Sequence, residues 1–338
     1  MRTSGVLLTL LVILAAAGCG GGSGGKQSAS VTLSGAGSTL VFPLVSKWSE
    51  EYKAAKINYS PVGSGGGIQA ITHRQLDFGA SDAPLTPDQA KAANGVLMIP
   101  WALAGTLFSY HLKGAPNKLK LTGPVIADMY LGKIKAWNDP AIARLNPGGH
   151  LPATKVIPIF RSDSSGDTYA VTDYLSKVSP EWKSKVGVST QVNFPTGTGG
   201  KGNDGVAAGL KQIDGSIGYL AISYVFGNHL NYALVQNAAR KFPVPGTKSI
   251  SAAAASVKSL PPNNAVSITN PPASAPAAYP VSTFTYALVP EKSAQADPLR
   301  KFLTYAIGPG QQFGPALQFA PLPHVVLQAD RAAIAKIK

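Results

Sequence analysis

The chain has 338 residues, a formal net charge of +14, 45% hydrophobic residues and only 14% charged ones. That is enough apolar material for a real core, and the length predicts roughly two domains. Lys and Arg are spread along the chain rather than gathered in a stripe, which argues against a nucleic-acid binder. The charge suits small anions, an anionic envelope surface, or simply a basic exterior.

The amino terminus reads "MRTSGVLLTLLVILAAAGCG". One Arg precedes an apolar run from Val6 to Ala17 that is too short to span a bilayer comfortably, so residues 1–18 are expected to be a signal peptide. Cys19 is the only cysteine, which excludes a disulfide within the chain. "AAGC" resembles a bacterial lipobox, with Ala16 where Leu is more usual. The expectation is cleavage before Cys19 and lipid attachment to its sulfur, with ordinary secretion as the alternative. A single acyl chain anchors weakly, so stable attachment needs more than one. Residues 19–30, rich in Gly and Ser, read as a flexible tether. "GGSGG" in this tether fits G-x-S-x-G, but that pattern carries meaning only between a strand and a helix.

From Val31 the pattern alternates strand and helix. Val31 to Leu33 predict a short strand, Gly35 and Gly37 a turn, and Val41, Leu44, Val45, Trp48 and Tyr52 one face of a helix. "INYSPVGSGGGIQAI" repeats the scheme, and "LDFGASDAPLT" ends a strand at Asp82. Thr86 to Gln89 form a capping-box start. "KVIPIF" is an apolar strand running into Arg161, followed by helical spacing at Val171, Tyr174, Leu175 and Val178. "GSIGYLAISYV" and Ala278 to Val289 are further strand candidates, and "SISAAAASV" is a helix candidate. This alternation predicts an α/β architecture with largely parallel sheets.

Three segments share a strand, a turn of Gly and hydroxyl residues, and a helix start: Gly35–Leu40, Gly63–Gly67 and Arg161–Thr168. A helix start offers unpaired N–H groups and partial positive charge. One such turn is ordinary capping, but three, one introduced by Arg161, point to a shared oxyanion. Arg161 supplies a planar fork of donors. Ser165 and Gly166 offer a hydroxyl and an N–H, and Asp163 is placed to hold Arg161 by a salt bridge. Asp167 is the discordant member, since a carboxylate repels an anion. Asp82 either caps the following turn or faces the ligand. As an acceptor it is useful only to an oxyanion that carries a proton, such as hydrogen phosphate, and it would reject sulfate.

Other patterns fail. "GTGGKG", Gly197 to Gly202, matches G-x-G-x-x-G, but Pro195 interrupts the strand expected before it. His73, His111, His150, His229 and His324 stand singly, without metal-ligand spacing.

At these residues the chain resembles the periplasmic phosphate-binding proteins of ABC transporters. "GAGSTL", "GSGGGIQAI", "DFGASDAPLT", "MYLGKIKAWNDPAIARLNPG", "RSDSSGD", "GGKGNDGVAAG" and "GSIGYL" occur in the family's order across nearly the whole mature chain. The resemblance implies a two-lobe periplasmic-binding-protein fold (type II), each lobe a mixed sheet flanked by helices. Residues 31–104 plus 281–338 would form one lobe and 105–280 the other, joined by crossing hinge strands and closing on phosphate. It implies phosphate ligands at Thr39, Leu40, Ser64, Asp82, Arg161, Ser165, Gly166 and Asp167. Leu40 replaces the usual Phe at a position that contributes its backbone N–H. Asp167 replaces the usual Thr and so loses a hydroxyl. Its side chain is expected to turn away or to be partly protonated while its N–H stays in place. The implied role is a lipid-anchored, exported phosphate receptor, monomeric, without cofactor or metal, that delivers its ligand to the transmembrane permease subunits and catalyses nothing. The alternatives are a receptor for another oxyanion and a secreted phosphatase on the same scaffold.

Overall fold

The structure is a computed structural model that describes residues 31–338; the expected signal peptide, Cys19 and the tether lie outside the described residues. The first series of elements is β1 (Thr32–Gly37), α1 (Phe42–Glu51), β2 (Lys56–Ser60), α2 (Ser64–Thr72), β3 (Phe78–Ser81) and α3 (Pro87–Ala92). A long strand, β4 (Val96–His111), leads out of it. The second series is β5 (Lys120–Leu121), α4 (Gly123–Tyr130), α5 (Pro140–Ala143), β6 (Ile157–Arg161), α6 (Gly166–Val178), α7 (Pro180–Lys185), β7 (Thr198–Gly200), α8 (Gly202–Gln212), β8 (Ser216–Ala221) and α9 (Ile222–Gly227). After β9 (Asn231–Tyr232), β10 (Leu234–Val235) and α10 (Thr247–Ala254), the chain returns along β11 (Ser282–Pro290) and closes with α11 (Ala296–Ile307) and α12 (His324–Ile334).

The strands join in the order β2-β1-β3-β11-β4-β8-β6-β7, with β9 also on β4, while β5 and β10 form a separate pair. β1 lies parallel to β2 and β3, and β6 parallel to β7 and β8. The centre departs from the parallel expectation. β11 runs antiparallel to both β3 and β4, and β4 antiparallel to β8. The reason is connectivity: β4 leaves the first series, β11 re-enters it, and the two pair from Val96↔Pro290 to Gly105↔Ser282. The remainder of β4, Thr106 to His111, pairs with β8. One strand thus belongs to both halves of a mixed sheet flanked by helices.

Each half has its own aromatic cluster within one continuous core. In the first, Trp48 of α1 packs edge-on against Trp101 of β4 with ring centroids 5.3 Å apart, and both meet Phe302 of α11. The helical spacing of Leu44, Val45 and Trp48 buries that face of α1, and Trp48 Nε1 donates to Gly310 O at 2.8 Å. In the second half Tyr130, Trp182, Phe194 and Tyr219 form the corresponding cluster. Full burial of such side chains contributes about 1.5–3 kcal/mol each.

Gly35 and Gly37 lie in strand β1 rather than in a turn. Gly35 is small because the Phe78 ring occupies the space of its absent side chain, a Cβ there falling 2.1 Å from Phe78 Cζ. The capping box of Thr86 and Gln89 starts α3. Among the described residues no helix is long and apolar enough to cross a membrane.

Candidate functional site

β1, β2 and β6 each end in a short turn that starts a helix, and these turns meet where the two halves of the sheet face each other. From β1–α1 come Ser38, Thr39 and Leu40, from β2–α2 Ser64, and from β6–α6 Arg161 through Asp167. Asp82 follows β3. Thr39, Leu40, Ser64, Asp82, Arg161, Ser165 and Asp167 are all buried. Several contacts cross between the halves. Gly166 N donates to Ser64 Oγ at 3.0 Å, and Gly65 N donates to Ser164 O at 3.0 Å.

A fourth junction joins them, and the sequence reading missed it. β7 and α8 form on "GTGGKG" despite Pro195, because the strand begins only at Thr198. The first turn of α8 carries Asn203, fully buried. Asn203 Nδ2 donates to Thr39 Oγ1 at 2.8 Å and to Asp167 Oδ2 at 3.0 Å, while its Oδ1 accepts from Ala221 N at 2.7 Å. One amide therefore ties α8, β8, α6 and the β1–α1 turn together.

Arg161 is held from two sides. Its Nε and Nη2 donate to Asp163 Oδ1 and Oδ2 at 2.8 and 2.5 Å, and its Nη1 donates to Asp167 Oδ2 at 2.8 Å. Asp163 also accepts from Gly202 N at 2.9 Å, at the start of α8. The Arg161 N–H donates to Tyr219 Oη at 3.1 Å, and that hydroxyl also bonds Thr168 Oγ1 at 2.7 Å. Asp167 does not turn to solvent. Its Oδ1 accepts from Thr106 Oγ1 at 2.6 Å, so the side chain is fixed by three donors. Its N–H donates to Ser165 Oγ at 3.1 Å, with Thr168 N beside it at 3.4 Å, which makes Ser165 the cap of α6.

Asp82 receives hydroxyl donors from the first half. Ser38 Oγ lies 2.6 and 2.7 Å from its two oxygens, and Ser64 Oγ lies 3.3 Å from Oδ2. Leu40 N donates to Ser38 Oγ at 3.0 Å. Thr283 of β11 donates to Asp82 O at 3.1 Å, so the backbone of Asp82 is pinned as well.

The electrostatics follow from burial. Removal from water, reinforced by the negative charge of Asp167, pushes the Asp82 carboxyl up to about 7, against the pull of Ser38 and Arg161. Burial also raises Asp167, opposed by Arg161, Thr106 and Asn203. For Arg161 the two carboxylates outweigh burial and hold the guanidinium above its ordinary value. The cluster joins Arg161, held by Asp163 and Asp167, to a set of hydroxyl and backbone donors and to the Asp82 carboxyl, which burial holds well above its ordinary value. That combination suits a protonated tetrahedral oxyanion. Among the described residues no group of three or more His, Cys, Asp and Glu is placed to hold a metal ion.

Ser38, Thr106, Asn203 and Tyr219 were not identified from sequence. Ser38 and Asn203 fall inside the turn motifs GAGSTL and GGKGNDGVAAG, which are the local signal for them. Thr106 and Tyr219 lie within apolar strands and give no local signal.

Known proteins similar to this chain define its family. A family model described as a PBP superfamily domain matches residues 23–309. A phosphate-binding protein PstS of Xylella fastidiosa is 43% identical over 306 residues, covering 88% of this chain and 83% of the relative. PstS of Pasteurella multocida is 40% identical, covering 89% of each chain. In structure, a phosphate-binding protein from Stenotrophomonas maltophilia superposes with a TM-score of 0.72 at 19% identity, covering 90% of this chain and 93% of that one. At that identity the likeness establishes the periplasmic-binding-protein fold. The chain belongs to the periplasmic binding proteins and, within them, to the PstS family of phosphate-binding proteins.

Proposed function

We propose that the protein binds inorganic phosphate outside the cytoplasmic membrane and delivers it to the permease of an ABC transporter. The observation that carries this reading is the convergence of Asp82 with Arg161 and the α6 start. A cationic fork and neutral donors neutralise the ligand's oxygens, and a buried acceptor meets its proton. Thr39, Leu40, Ser64, Ser165, Gly166 and Asp167 complete the set of ligand contacts, and Asp163 positions Arg161. The two halves of the sheet act as lobes, residues 31–104 with 281–338 against 105–280, that close over the ligand about the β4–β11 crossing. The protein works as a monomer, anchored through lipid on Cys19 and facing the periplasm or the cell exterior. It makes and breaks no bond in its ligand.

Titration calorimetry with phosphate and sulfate in competition tests the reading. Phosphate is expected to bind tightly and sulfate not to displace it. Asp82→Asn is expected to narrow the gap by removing the unpaired charge that sulfate would meet. Sulfate binding as strong as phosphate in the native protein would reject the reading.

A further inference from the structure

No Asp or Glu stands between Asp214 and Glu291. Within that stretch the loop from Asn237 to Gly246 joins β10 to α10 and carries Arg240, Lys241, Phe242, Pro243, Val244 and Pro245. Lys248 follows in the first turn of α10. Lys120, from β5 beside β10, places its Nζ 5.6 Å from the centroid of the Phe242 ring. Lys120, Arg240, Lys241 and Lys248 are all exposed, and among the described residues none of them forms a salt bridge. Four unpaired cations therefore border one loop, next to an open groove of about 450 Å³ beside Phe242 and Val244.

The tip of the loop is apolar. Val244 is 58% exposed, the most exposed large hydrophobic side chain among the described residues. Part of the backbone there needs no water. Pro243 and Pro245 have no N–H, and Ser249 Oγ lies 2.8 and 3.1 Å from the carbonyls of Val244 and Gly246.

The loop is also preorganised. Buried Asn237 accepts from Ala239 N and Lys241 N at 3.1 and 3.0 Å and donates to Pro276 O and Ala278 O at 3.0 Å each. Arg240 is held at φ +57°, a left-handed conformation that an arginine adopts at a cost.

We propose that this loop docks on a bilayer surface rich in anionic lipid headgroups, with Phe242, Pro243 and Val244 entering the headgroup region and Lys120, Arg240, Lys241 and Lys248 pairing with lipid charge. Apolar insertion flanked by basic side chains is the combination that an interfacial membrane contact requires. Val244 exposed between exposed cations matches the layered chemistry of a lipid surface, with charge outside and an apolar layer beneath. The inference is independent of the phosphate site.

The test uses the mature chain from residue 19. With Cys19→Ser, Val244→Cys becomes the only thiol and takes an environment-sensitive fluorophore. The control is Val62→Cys, 49% exposed at the β2–α2 junction. Vesicles of phosphatidylglycerol mixed with phosphatidylcholine are expected to shift the emission of the Val244 probe to the blue, and vesicles of phosphatidylcholine alone are not. Lys241→Glu with Lys248→Glu is expected to weaken that partitioning at least about tenfold, and added salt to weaken it further. A shift of equal size at Val62, no shift at Val244, or a shift indifferent to lipid charge would each overturn the proposal. So would soluble polyglutamate that abolishes the signal at the charge concentration of the lipid, which would mark an acidic protein as the partner. Calorimetry with phosphate on the Val244 and lysine variants is expected to be unchanged, so a failure here and a failure of the phosphate reading are separately visible.

Discussion

Asp82 lies against Gly166 so closely that a Cβ on Gly166 would stand 2.4 Å from Asp82 Oδ2. The two residues come from opposite halves of the sheet, one after β3 and one at the start of α6. Their contact exists only while the halves are closely apposed, and only because residue 166 has no side chain.

Gly166→Ala is therefore expected to leave the fold intact and to prevent close apposition. Phosphate affinity should fall by two orders of magnitude or more, equivalent to about 2.8 kcal/mol, whereas the thermal midpoint without phosphate moves little. Calorimetry beside a thermal melt checks this. Undiminished affinity would mean that the halves bind without closing on each other.

Arg161→Ala is expected to be the costliest single change in the cluster. It removes the fork of donors and leaves Asp163 and Asp167 without their counter-charge, a loss of roughly 3–5 kcal/mol for a buried pair. Ser165→Ala, which removes a helix cap, should cost only about 1 kcal/mol. Urea unfolding and phosphate titration of both variants give the ranking, and equal losses would contradict it.

Asp167→Thr tests the acid beside the guanidinium. Asp167 now occupies Arg161 Nη1, as the 2.8 Å contact shows. A hydroxyl would release that donor and remove a negative charge from the anion's surroundings. Affinity for phosphate is expected to rise on the order of tenfold, about 1.4 kcal/mol. The stability of the protein should fall at the same time, because Arg161 loses one of its two carboxylates. A fall in affinity would show that the acid contributes to binding.

Asp330 of α12 gives a pH dependence unrelated to the site. Both its oxygens are buried without a hydrogen-bond partner, and burial pushes its carboxyl up to about 8. An acid whose pKa is higher folded than unfolded holds extra protons in the folded state between the two values. Its contribution to stability is therefore greatest at acid pH and is lost as pH rises from about 4 toward about 8. Asp330→Asn should remove this slope and stabilise the protein at the alkaline end by roughly 1–3 kcal/mol. Urea unfolding at both ends of the window measures it. A variant with the wild-type difference would exonerate Asp330.

Local chemistry was readable in the sequence wherever neighbours in the chain do the work. Arg161 with Asp163, Ser165 at the start of α6, and the Thr86 capping box all involve partners within a few positions. What could not be read depends on distant partners. Ser38 meets Asp82 across 44 positions and Thr106 meets Asp167 across 61. Glycine was ambiguous for the same reason: Gly35 looks like a turn residue, yet it is small to admit the Phe78 ring. Pro195 concealed the β7–α8 junction because the strand there starts three positions later and is only three residues long. The antiparallel centre of the sheet was illegible because it reflects where the chain leaves and returns, which periodicity does not record.

β4 hands over from β11, its partner up to Gly105, to β8, its partner from Thr106 onward, with β9 pairing at Ser109 and Tyr110. Alternate side chains on a strand face opposite ways, so one added or deleted residue near that handover would rotate everything after it by half a turn. Tyr110 and Phe108 would exchange places with their neighbours while Trp101 stayed where it is. Length variation among natural relatives should therefore accumulate in the loops and avoid this strand, and an indel scan should find Gly105 and Thr106 intolerant even where point substitutions are accepted.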